Sequence, residues 1–384
     1  MPSQEVFSWL RTRFFPHIWC PGCGHGIIMH SLLRALVALD KKKSQTVIAS
    51  GIGCSSRMAG YIDACTVHTT HGRSLAFATG IKLAKPELTV VDVMGDGDCT
   101  AIGGNHFIHA CRRNIDITAV VMNNNIYGMT GGQASPTTPI GSIASTTPFG
   151  AIDPSFDICK LAEGAGASYV ARATVANPKQ AEQFIMKGIQ NKGFSVVEIV
   201  THCHTTFGRK NKRRTPIDNI NYFKDNSIPL SKAREMSPEE LAGRIVTGEF
   251  VKRESPEFTA QYLSLIERGA GKMAGRYEIR FAEIRRPGRH PLPQSSRESS
   301  FSLQLTSMSS DPDRGPEQGS RVKAEVIIST ESAVTERQTE PSGNPLPRWL
   351  PSMPRRPCPA EGSSTTTSSS PAFPRWMPTP TIFP

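Results

Sequence analysis

Two polar turns in the first third of the chain carry residue types suited to a metal-bound diphosphate. One apolar run leads into Gly95-Asp96-Gly97-Asp98, and a second leads into Asn123-Asn124-Asn125. Glycine lets backbone amides approach phosphate oxygens, and Mg²⁺ accepts carboxylate and amide oxygens as ligands. Gly-Asp-Gly alone is a common polar turn. Here Asp96 and Asn124 lie 28 residues apart, enough for one crossover helix that would bring both turns to one sheet edge.

The cysteines suggest a second kind of metal site. Nine of them occur in a chain without signal-peptide features, where metal ligation is a better explanation than disulfides. Cys20 and Cys23 form a Cys-x-x-Cys loop, while Cys54 and Cys203 each follow an apolar run. Four such thiolates can hold an iron–sulfur cluster, with a redox dithiol or half of a zinc site as alternatives. The remaining cysteines before the tail are expected to fill or adjoin the core: Cys65, Cys99, Cys111 and Cys159.

Short β-branched runs and helical patterns alternate along the chain and must position these residues. Buried parallel strands are predicted over 46–50, 88–94, 117–122 and 194–200. Crossing helices are predicted over 25–39, 73–85, 104–113 and 179–191. The expected fold class is α/β, an open doubly wound and mostly parallel sheet, with ligands beyond the carboxyl ends of the strands.

Charge and hydropathy exclude some classes of protein and leave others open. The formal charge of +11 suits nucleic acid, an acidic protein or a polyanionic coenzyme equally well. The basic run over 209–214 lacks interleaved aromatic residues, so we interpret it as a solvated loop and expect no nucleic-acid partner. No stretch approaches 18 apolar residues, and Arg11, Arg13 and Pro16 interrupt any signal-peptide core. We therefore expect no membrane association and a cytoplasmic protein.

Composition changes near residue 281 and sets the expected domain organisation. Residues 281–384 hold 17 of the 30 prolines and 11 arginines but a single lysine. Such a segment buries too little apolar surface to offset its ordering entropy, which predicts a largely disordered tail. We divide the chain into a catalytic domain with the iron–sulfur site (1–225), an extension (226–272) and a low-complexity tail (273–384).

Five motifs occur in the order in which one enzyme family carries them. They are Cys-Pro-Gly-Cys-Gly-His-Gly from Cys20, Gly-Ile-Gly-Cys-Ser-Ser from Gly51, His-Thr-Thr-His-Gly-Arg from His68, Gly-Asp-Gly-Asp from Gly95 and Tyr-Gly-Met-Thr-Gly-Gly-Gln from Tyr127. Over residues 8–270 the chain resembles the β subunit of 2-oxoacid:ferredoxin oxidoreductases, particularly the 2-oxoglutarate enzyme. The resemblance implies a thiamine diphosphate-binding fold.

The resemblance also implies roles for individual residues. It implies that a 4Fe–4S cluster is bound by Cys20, Cys23, Cys54 and Cys203. It implies that the magnesium ligands are Asp96, Asn124 and the Ile126 carbonyl. It places thiamine diphosphate against Ile52, Gly53, Cys54, Ser55, His71, Gly97, Asp98, Gly128 and Met129, with His71 as the candidate catalytic residue. The chain departs from the family where Cys203-His204-Thr205 replaces the usual Cys-Pro-Thr.

The implied reaction is the oxidative decarboxylation of a 2-oxoacid, with 2-oxoglutarate favoured, to an acyl-coenzyme A and carbon dioxide. Electrons would pass through the 4Fe–4S cluster to ferredoxin. An α subunit would complete the active site with a glutamate, and γ and δ subunits would join the complex. Arg57 and Arg73 are candidates for substrate carboxylate or coenzyme A phosphates, although surface ion pairs explain them equally well.

Several other interpretations of the sequence remain open. The substrate could be pyruvate or a branched-chain or aryl 2-oxoacid. A non-redox thiamine diphosphate decarboxylase or carboligase would keep the diphosphate motif without four placed cysteines. A zinc-binding interaction module would use the cysteines alone. An inactive subunit from a damaged gene would keep all the motifs.

Two segments of the tail resemble parts of the γ subunit of the same family. The sequence pattern predicts a β-strand over residues 276–282 and another over residues 322–329. Residues 283–291 could be encoded by DNA that, one nucleotide over, spells Ser-Gly-Gly-Gln-Gly-Val-Ile, and the γ family carries Gly-Gly-Gln-Gly after its first strand. We hypothesise that frameshifts have fused a γ-subunit reading frame to this one.

Overall fold

The computed structural model describes residues 4–273, 300–305 and 322–327. The chain divides into two compact units, the first comprising residues 1–283 and 306–320 and the second residues 284–305 and 321–384. No helix in the described part of the chain is both long enough and apolar enough to cross a membrane.

An eight-stranded sheet forms the centre of the first unit, in the order β2-β1-β3-β4-β8-β7-β10-β9. Neighbouring strands are parallel except β10, which runs antiparallel to β7. These strands are β1 (Thr46–Ser50), β2 (Cys65–His68), β3 (Thr89–Gly95), β4 (Thr118–Asn123), β7 (Tyr169–Thr174), β8 (Ser195–Val200), β9 (Ser227–Pro229) and β10 (Ile245–Lys252). A separate small ribbon pairs β5 (Ile126–Tyr127) with β6 (Gln133–Ala134).

Helices connect the strands and cover both faces of the sheet. The α-helices are α1 (Gln4–Ser8), α2 (His25–Ala38), α3 (Met58–Tyr61), α4 (Ser74–Ala84), α5 (Gly104–Arg113), α6 (Ile158–Ala165), α7 (Pro178–Gln190), α8 (Pro216–Asn226), α9 (Leu230–Ala233), α10 (Pro238–Leu241) and α11 (Phe258–Met273). Shorter helical turns span Thr12–Phe14, Lys43–Gln45, Ser55–Arg57, Asp98–Ile102 and His204–Gly208.

Two hydrophobic cores lie on opposite sides of the sheet because alternate strand residues point to opposite faces. On one side Val91, Val120 and Val197 pack with α2 and α7. On the other side Val90, Val121 and Val196 pack with α4, α5 and α6. Every residue of β1, β4 and β8 is buried, as expected for parallel strands covered on both faces.

The structure confirms the four predicted strands and the four predicted crossing helices to within one or two residues. Sequence patterns missed β7, whose apolar run is interrupted by Arg172. They also missed β2 at one end of the sheet, and β9 and β10 at the other end. Strand β10 lies near the sheet edge and is mostly partly buried, with Thr247 and Val251 buried, so it lacks a continuous apolar signal.

In the second unit, β11 (Ser300–Leu305) pairs antiparallel with β12 (Val322–Ile327). The strand expected over 322–329 is therefore present as β12. The strand expected over 276–282, and the tail expected to be disordered, lie outside the described residues apart from this pair.

Candidate active site

The loops that carry the candidate residues leave the same edge of the sheet. Strands β1, β3, β4 and β8 are parallel and adjacent, so their carboxyl ends meet there. Cys54 follows β1, Asp96 follows β3, Asn124 follows β4 and Cys203 follows β8. This is the edge at which open α/β sheets bind their ligands.

An open cleft of about 530 Å³, its mouth included, lies along this edge. Its lining contains all twelve residues expected at the thiamine diphosphate or magnesium: Ile52, Gly53, Cys54, Ser55, His71, Asp96, Gly97, Asp98, Asn124, Ile126, Gly128 and Met129. Sequence reasoning missed His25, Gly95, Met122, Tyr127 and Thr130, which line the cleft as well. Tyr127 and Thr130 lie within a motif already singled out, so their position was the available signal.

Asp96 is buried and held in place by two hydroxyl groups. Ser135 and Thr137 donate hydrogen bonds to Asp96 Oδ2 at 2.5 and 2.6 Å. Burial raises the pKa of the Asp96 carboxyl, and the two hydroxyl groups act in the opposite direction. Asn124, also buried, accepts a hydrogen bond from the Ile126 amide at 3.3 Å. A carboxylate, an amide oxygen and the Ile126 carbonyl form an all-oxygen donor set that fits magnesium.

A buried polar network, not foreseen from the sequence, connects the turn that carries Asn124 to the centre of the sheet. Arg172 Nε donates to Glu198 at 2.6 Å, and Asn123 donates to the other Glu198 oxygen at 2.8 Å. The Thr137 hydroxyl lies 3.1 Å from Asn123 Oδ1, which also accepts the Asn125 amide at 3.0 Å. The network therefore orients the turn that carries Asn124. Charged residues within two apolar strands were the signal that could have revealed it.

The same network accounts for another group of potential metal ligands. Asp157, Cys159 and Glu198 place their ligand atoms within 4.8 Å of one another. Arg172, however, pairs with both carboxylates, and Cys159 donates to Glu198 at 3.3 Å. Both carboxylates already have Arg172 as an ion-pair partner, so we assign the group a structural role.

His71 is oriented in the cleft by Asp98. His71 Nδ1 contacts Asp98 Oδ1, and the Gly72 amide donates to the same oxygen at 2.6 Å. The other Asp98 oxygen is buried and has no hydrogen-bond partner among the described residues. Asp98 thus lines the cleft as expected, with its bonded oxygen directed towards His71 and Gly72. The pair leaves His71 Nε2 as the ring nitrogen available to a bound ligand.

The four thiols gather at one end of the cleft. Cys20 Sγ and Cys203 Sγ lie 3.7 and 3.6 Å from the same atom, Thr205 Oγ1. A Cβ built on Gly128 would lie 3.3 Å from Cys203 Sγ and 3.5 Å from Cys54 Sγ. Cys23 Sγ contacts His25 Nδ1 at 3.2 Å. Three separate loops therefore converge near Gly128.

The spacing of these thiols fits a cluster better than a single ion. No three of the four Sγ atoms lie within 4.8 Å of one another. A single zinc ion with Zn–S bonds of about 2.3 Å requires sulfur atoms roughly 3.8 Å apart. Burial raises the pKa of Cys23 to about 12 and that of Cys54 to about 11, and the nearby thiols add to both shifts. A metal that binds here must displace those protons.

The other cysteines follow expectation with one exception. Cys99, Cys111 and Cys159 are buried in the core. Cys65 was expected to fill or adjoin the core, and this prediction is wrong because Cys65 is exposed on β2. Strand β2 is the last strand on its side of the sheet, which leaves its side chains open to solvent.

Comparisons with known proteins agree with this geometry. The family described as thiamine pyrophosphate enzyme, C-terminal TPP binding domain, matches residues 48–199. The KorB subunit of 2-oxoglutarate synthase from Methanocaldococcus jannaschii is 55% identical over 265 residues, covering 69% of this chain and 98% of that protein. The KorB subunit from Archaeoglobus fulgidus is 57% identical over 224 residues, covering 58% and 82%.

A solved structure is similar over nearly its whole length. It is a 2-oxoglutarate:ferredoxin oxidoreductase from Magnetococcus marinus with 2-oxoglutarate, coenzyme A and succinyl-CoA bound. The match has a TM-score of 0.63 and 33% identity, and it covers 71% of this chain and 96% of that chain. The chain therefore belongs to the KorB family, the β subunits of 2-oxoglutarate:ferredoxin oxidoreductase.

Proposed function

We propose that this chain is the β subunit of an enzyme that oxidatively decarboxylates 2-oxoglutarate to succinyl-coenzyme A and carbon dioxide, and that passes the electron pair to ferredoxin. The observation that carries the proposal is the junction of the cleft with the four thiols beside Gly128. Relatives named 2-oxoglutarate synthase support the choice of substrate over pyruvate and branched-chain or aryl 2-oxoacids.

In this proposal each cofactor has its own set of residues. Asp96, Asn124 and the Ile126 carbonyl hold magnesium, and backbone around Gly97 and Gly128 meets the diphosphate. Cys20, Cys23, Cys54 and Cys203 hold the 4Fe–4S cluster. When bound, thiamine diphosphate supplies a nucleophilic carbon and an electron sink, and the cluster supplies one-electron transfer. A non-redox decarboxylase or carboligase would have no use for four thiols at this point.

His71 has the geometry of a proton-holding group at the reacting centre. Asp98 accepts at His71 Nδ1, which fixes the ring and leaves Nε2 towards the cleft. Arg57 and Arg73 offer planar guanidinium donors to substrate carboxylate or coenzyme A phosphates. Arg73 Nη1 donates to the Ile102 carbonyl at 2.7 Å, so its position is partly set by the fold.

An α subunit completes the active site. The resemblance requires a glutamate at the thiamine, and among the described residues that line the cleft none is a glutamate. The segment between β6 and α6 exposes five large apolar side chains: Ile140, Ile143, Phe149, Ile152 and Phe156. An apolar surface of this kind is typical of a subunit interface. We place the α subunit there and expect γ and δ subunits elsewhere in the complex.

Anaerobic co-expression with the α subunit tests this function. The complex is expected to contain thiamine diphosphate and about four irons per β chain, by the four-thiolate logic of such clusters, and to reduce ferredoxin with 2-oxoglutarate and coenzyme A. Asp96→Asn should weaken magnesium-dependent thiamine diphosphate binding, measured by calorimetry, while leaving the iron content unchanged. Asp40→Asn, at an exposed acid that follows α2, is the matched control. Zinc without thiamine, or turnover by the β chain alone, would contradict the proposal.

For the tail, we propose that residues beyond 273 derive from a frameshifted γ-subunit reading frame. Its support is the strand-like segment now seen as β12 and the Gly-Gly-Gln-Gly reading one nucleotide over. Resequencing the locus tests the idea. An intact stop codon followed by an uninterrupted γ frame is the expected result, and a clean single frame through residue 384 would contradict it.

A further inference from the structure

The position of the basic run at 209–214 indicates a role that its composition alone did not indicate. It contains Arg209, Lys210, Lys212, Arg213 and Arg214. The whole stretch 199–217 contains no aspartate or glutamate. The run therefore forms a local concentration of positive charge that its own neighbours in sequence do not neutralise.

Both ends of this basic loop are attached to loops that carry the thiols. At one end the Gly208 amide donates to the Cys203 carbonyl at 2.8 Å. At the other end Pro216 packs against Gly22, which lies between Cys20 and Cys23. A Cβ on Gly22 would come within 2.4 Å of Pro216 Cγ, so only glycine permits this contact. The basic loop therefore lies alongside the four thiols.

Internal contacts hold the loop in one conformation. The Arg213 guanidinium lies 3.9 Å from the Tyr222 ring centroid and 5.4 Å from that of Phe207. Asn211 exchanges two hydrogen bonds of 2.9 Å with the backbone of Ile143. The remaining four cations, Arg209, Lys210, Lys212 and Arg214, are exposed. Within residues 4–269 none of these four pairs with a carboxylate.

The group of four thiols reaches solvent next to this loop, at Cys20. Cys20 is exposed, as are Pro21 and Gly22, whereas the other three thiols are partly buried. Electrons that leave a cluster held here have their shortest route to the surface at Cys20. A protein that collects them must dock over Cys20 and meet the four free cations. Unpaired charge around such a contact accelerates association with a partner of opposite sign.

We propose that residues 209–214 form the docking surface for an acidic electron-carrier protein, with its redox centre brought towards Cys20. The proposal rests on the proposed function, because it requires a redox cluster at the four thiols. Single-stranded nucleic acid fits this surface poorly, since no aromatic side chain is interleaved with the cations. Coenzyme A phosphates are the other anionic ligand considered for this surface, and the experiment below distinguishes them from a protein partner.

The test is a charge-neutralised variant of the complete, cluster-loaded complex with its α subunit. The variant carries Arg209→Gln, Lys210→Gln, Lys212→Gln and Arg214→Gln. We expect kcat/KM for an acidic ferredoxin to fall by about tenfold or more at low ionic strength, and its salt dependence to flatten. Binding to immobilised ferredoxin should weaken in parallel. Iron content, the KM for coenzyme A and the reduction of methyl viologen should stay at wild-type levels.

A matched control removes four exposed cations from the opposite edge of the sheet. Lys42, Lys85, Arg112 and Lys192 precede β1, β3, β4 and β8, respectively, and each is changed to Gln. This control should keep wild-type ferredoxin kinetics. Equal losses in both variants, or unchanged ferredoxin binding in the loop variant, would overturn the docking surface. A raised KM for coenzyme A alone would assign the loop to coenzyme A and also overturn it.

Failure of the docking proposal can be distinguished from failure of the proposed function. Wild-type complex that reduces methyl viologen with 2-oxoglutarate, but whose ferredoxin kinetics do not change in the loop variant, refutes the docking surface alone. Wild-type complex that lacks iron and reduces no acceptor refutes the function on which it rests.

Discussion

Asp96 and Cys203 lie just beyond the carboxyl ends of two strands of one sheet, yet different forces hold them. Asp96 is buried and receives two hydroxyl hydrogen bonds, and the loop opposite is tied through Asn123 to Glu198 and Arg172. Cys203 has only hydroxyl groups as side-chain partners, and Cys20 is exposed. The oxygen side of the cleft, formed by the turns that carry Asp96 and Asn124, is thus organised by the fold itself.

The thiol side, formed by the loops that carry Cys20, Cys23, Cys54 and Cys203, is joined mainly through backbone carbonyls. Trp19 Nε1 donates to the Cys54 carbonyl at 2.7 Å, and His202 Nε2 lies 2.9 Å from the Gly22 carbonyl, but neither contact orients a sulfur atom. Its four sulfur atoms come from three loops, and no three of them lie within 4.8 Å of one another. Burial raises the pKa values of Cys23 and Cys54 further above the ordinary thiol range, so a metal that binds there must displace more tightly held protons. We infer that the oxygen side is preorganised by hydrogen bonds to its side chains, and we expect the sulfur atoms to gain their final order from the metal proposed to bind there.

The largest effect is expected from removing one thiol. Cys203→Ala should abolish cluster assembly and lower ferredoxin reduction by more than about 100-fold, the upper range for lost metal-site partners. Because the oxygen side is independently organised, thiamine diphosphate binding should persist. Iron and acid-labile sulfide analysis, with thiamine diphosphate content measured on the same sample, checks both halves. Cys65→Ala is the matched control, and comparable iron loss there would contradict the assignment.

Breaking the buried network should affect the oxygen side alone. Glu198→Gln removes the buried carboxylate from Arg172 and leaves Arg172 paired with Asp157 alone, which should lower the free energy of unfolding by about 2 kcal/mol, within the range for hydrogen bonds to charged groups. It should also weaken magnesium-dependent thiamine diphosphate binding about tenfold, because the Asn123 turn loses its anchor. Denaturant unfolding and calorimetry measure the two effects, with exposed Glu163→Gln as control. An unchanged free energy of unfolding in Glu198→Gln would contradict the role assigned to this pair.

Iron removal should separate the two sides by their mobility. In iron-depleted protein the loops around Cys20 and Cys203 lose their common ligand, so trypsin should cut within 209–214 several-fold faster. Thiamine diphosphate affinity should change little over the same treatment. Mass spectrometry of timed digests locates the cuts. Equal cleavage rates with and without iron would show that the fold alone organises the thiol side.

The smallest effect concerns Asp92, a buried carboxyl in β3 that neither side uses. Neither of its oxygens has a hydrogen-bond partner among the described residues, and burial raises its pKa well above the ordinary value. The folded state therefore holds a proton that the unfolded state releases above about pH 4, so stability falls as pH rises. Asp92→Asn should raise the free energy of unfolding at pH 7 by about 1 kcal/mol or more, the equivalent of one pKa unit.

Thermal or denaturant unfolding at several pH values measures this gain. It should shrink towards zero near pH 4, where Asp92 is protonated in both states. A constant difference between the variant and the wild type at all pH values would mean that packing, and not ionisation, explains the change.

Local patterns were sufficient for the elements that carry the site. Continuous apolar runs made β1, β3, β4 and β8 recognisable, because strands buried on both faces have no polar positions to blur the signal. Strand β7 was missed because Arg172 interrupts its run. That arginine is tolerated only because Glu198 lies beside it on β8, a pairing across 26 residues that no local window contains.

The sequence by itself determined the motifs and the sheet edge on which they meet. Parallel strands place their carboxyl ends together, so Asp96, Asn124, Cys54 and Cys203 had to emerge on one side once their strands were recognised. Only the tertiary structure decided which of these residues share a network and which surface adjoins them. Gly22 meets Pro216 and Cys20 meets Thr205 across more than 180 residues, so the basic loop lies beside the thiols through packing that no sequence spacing specifies.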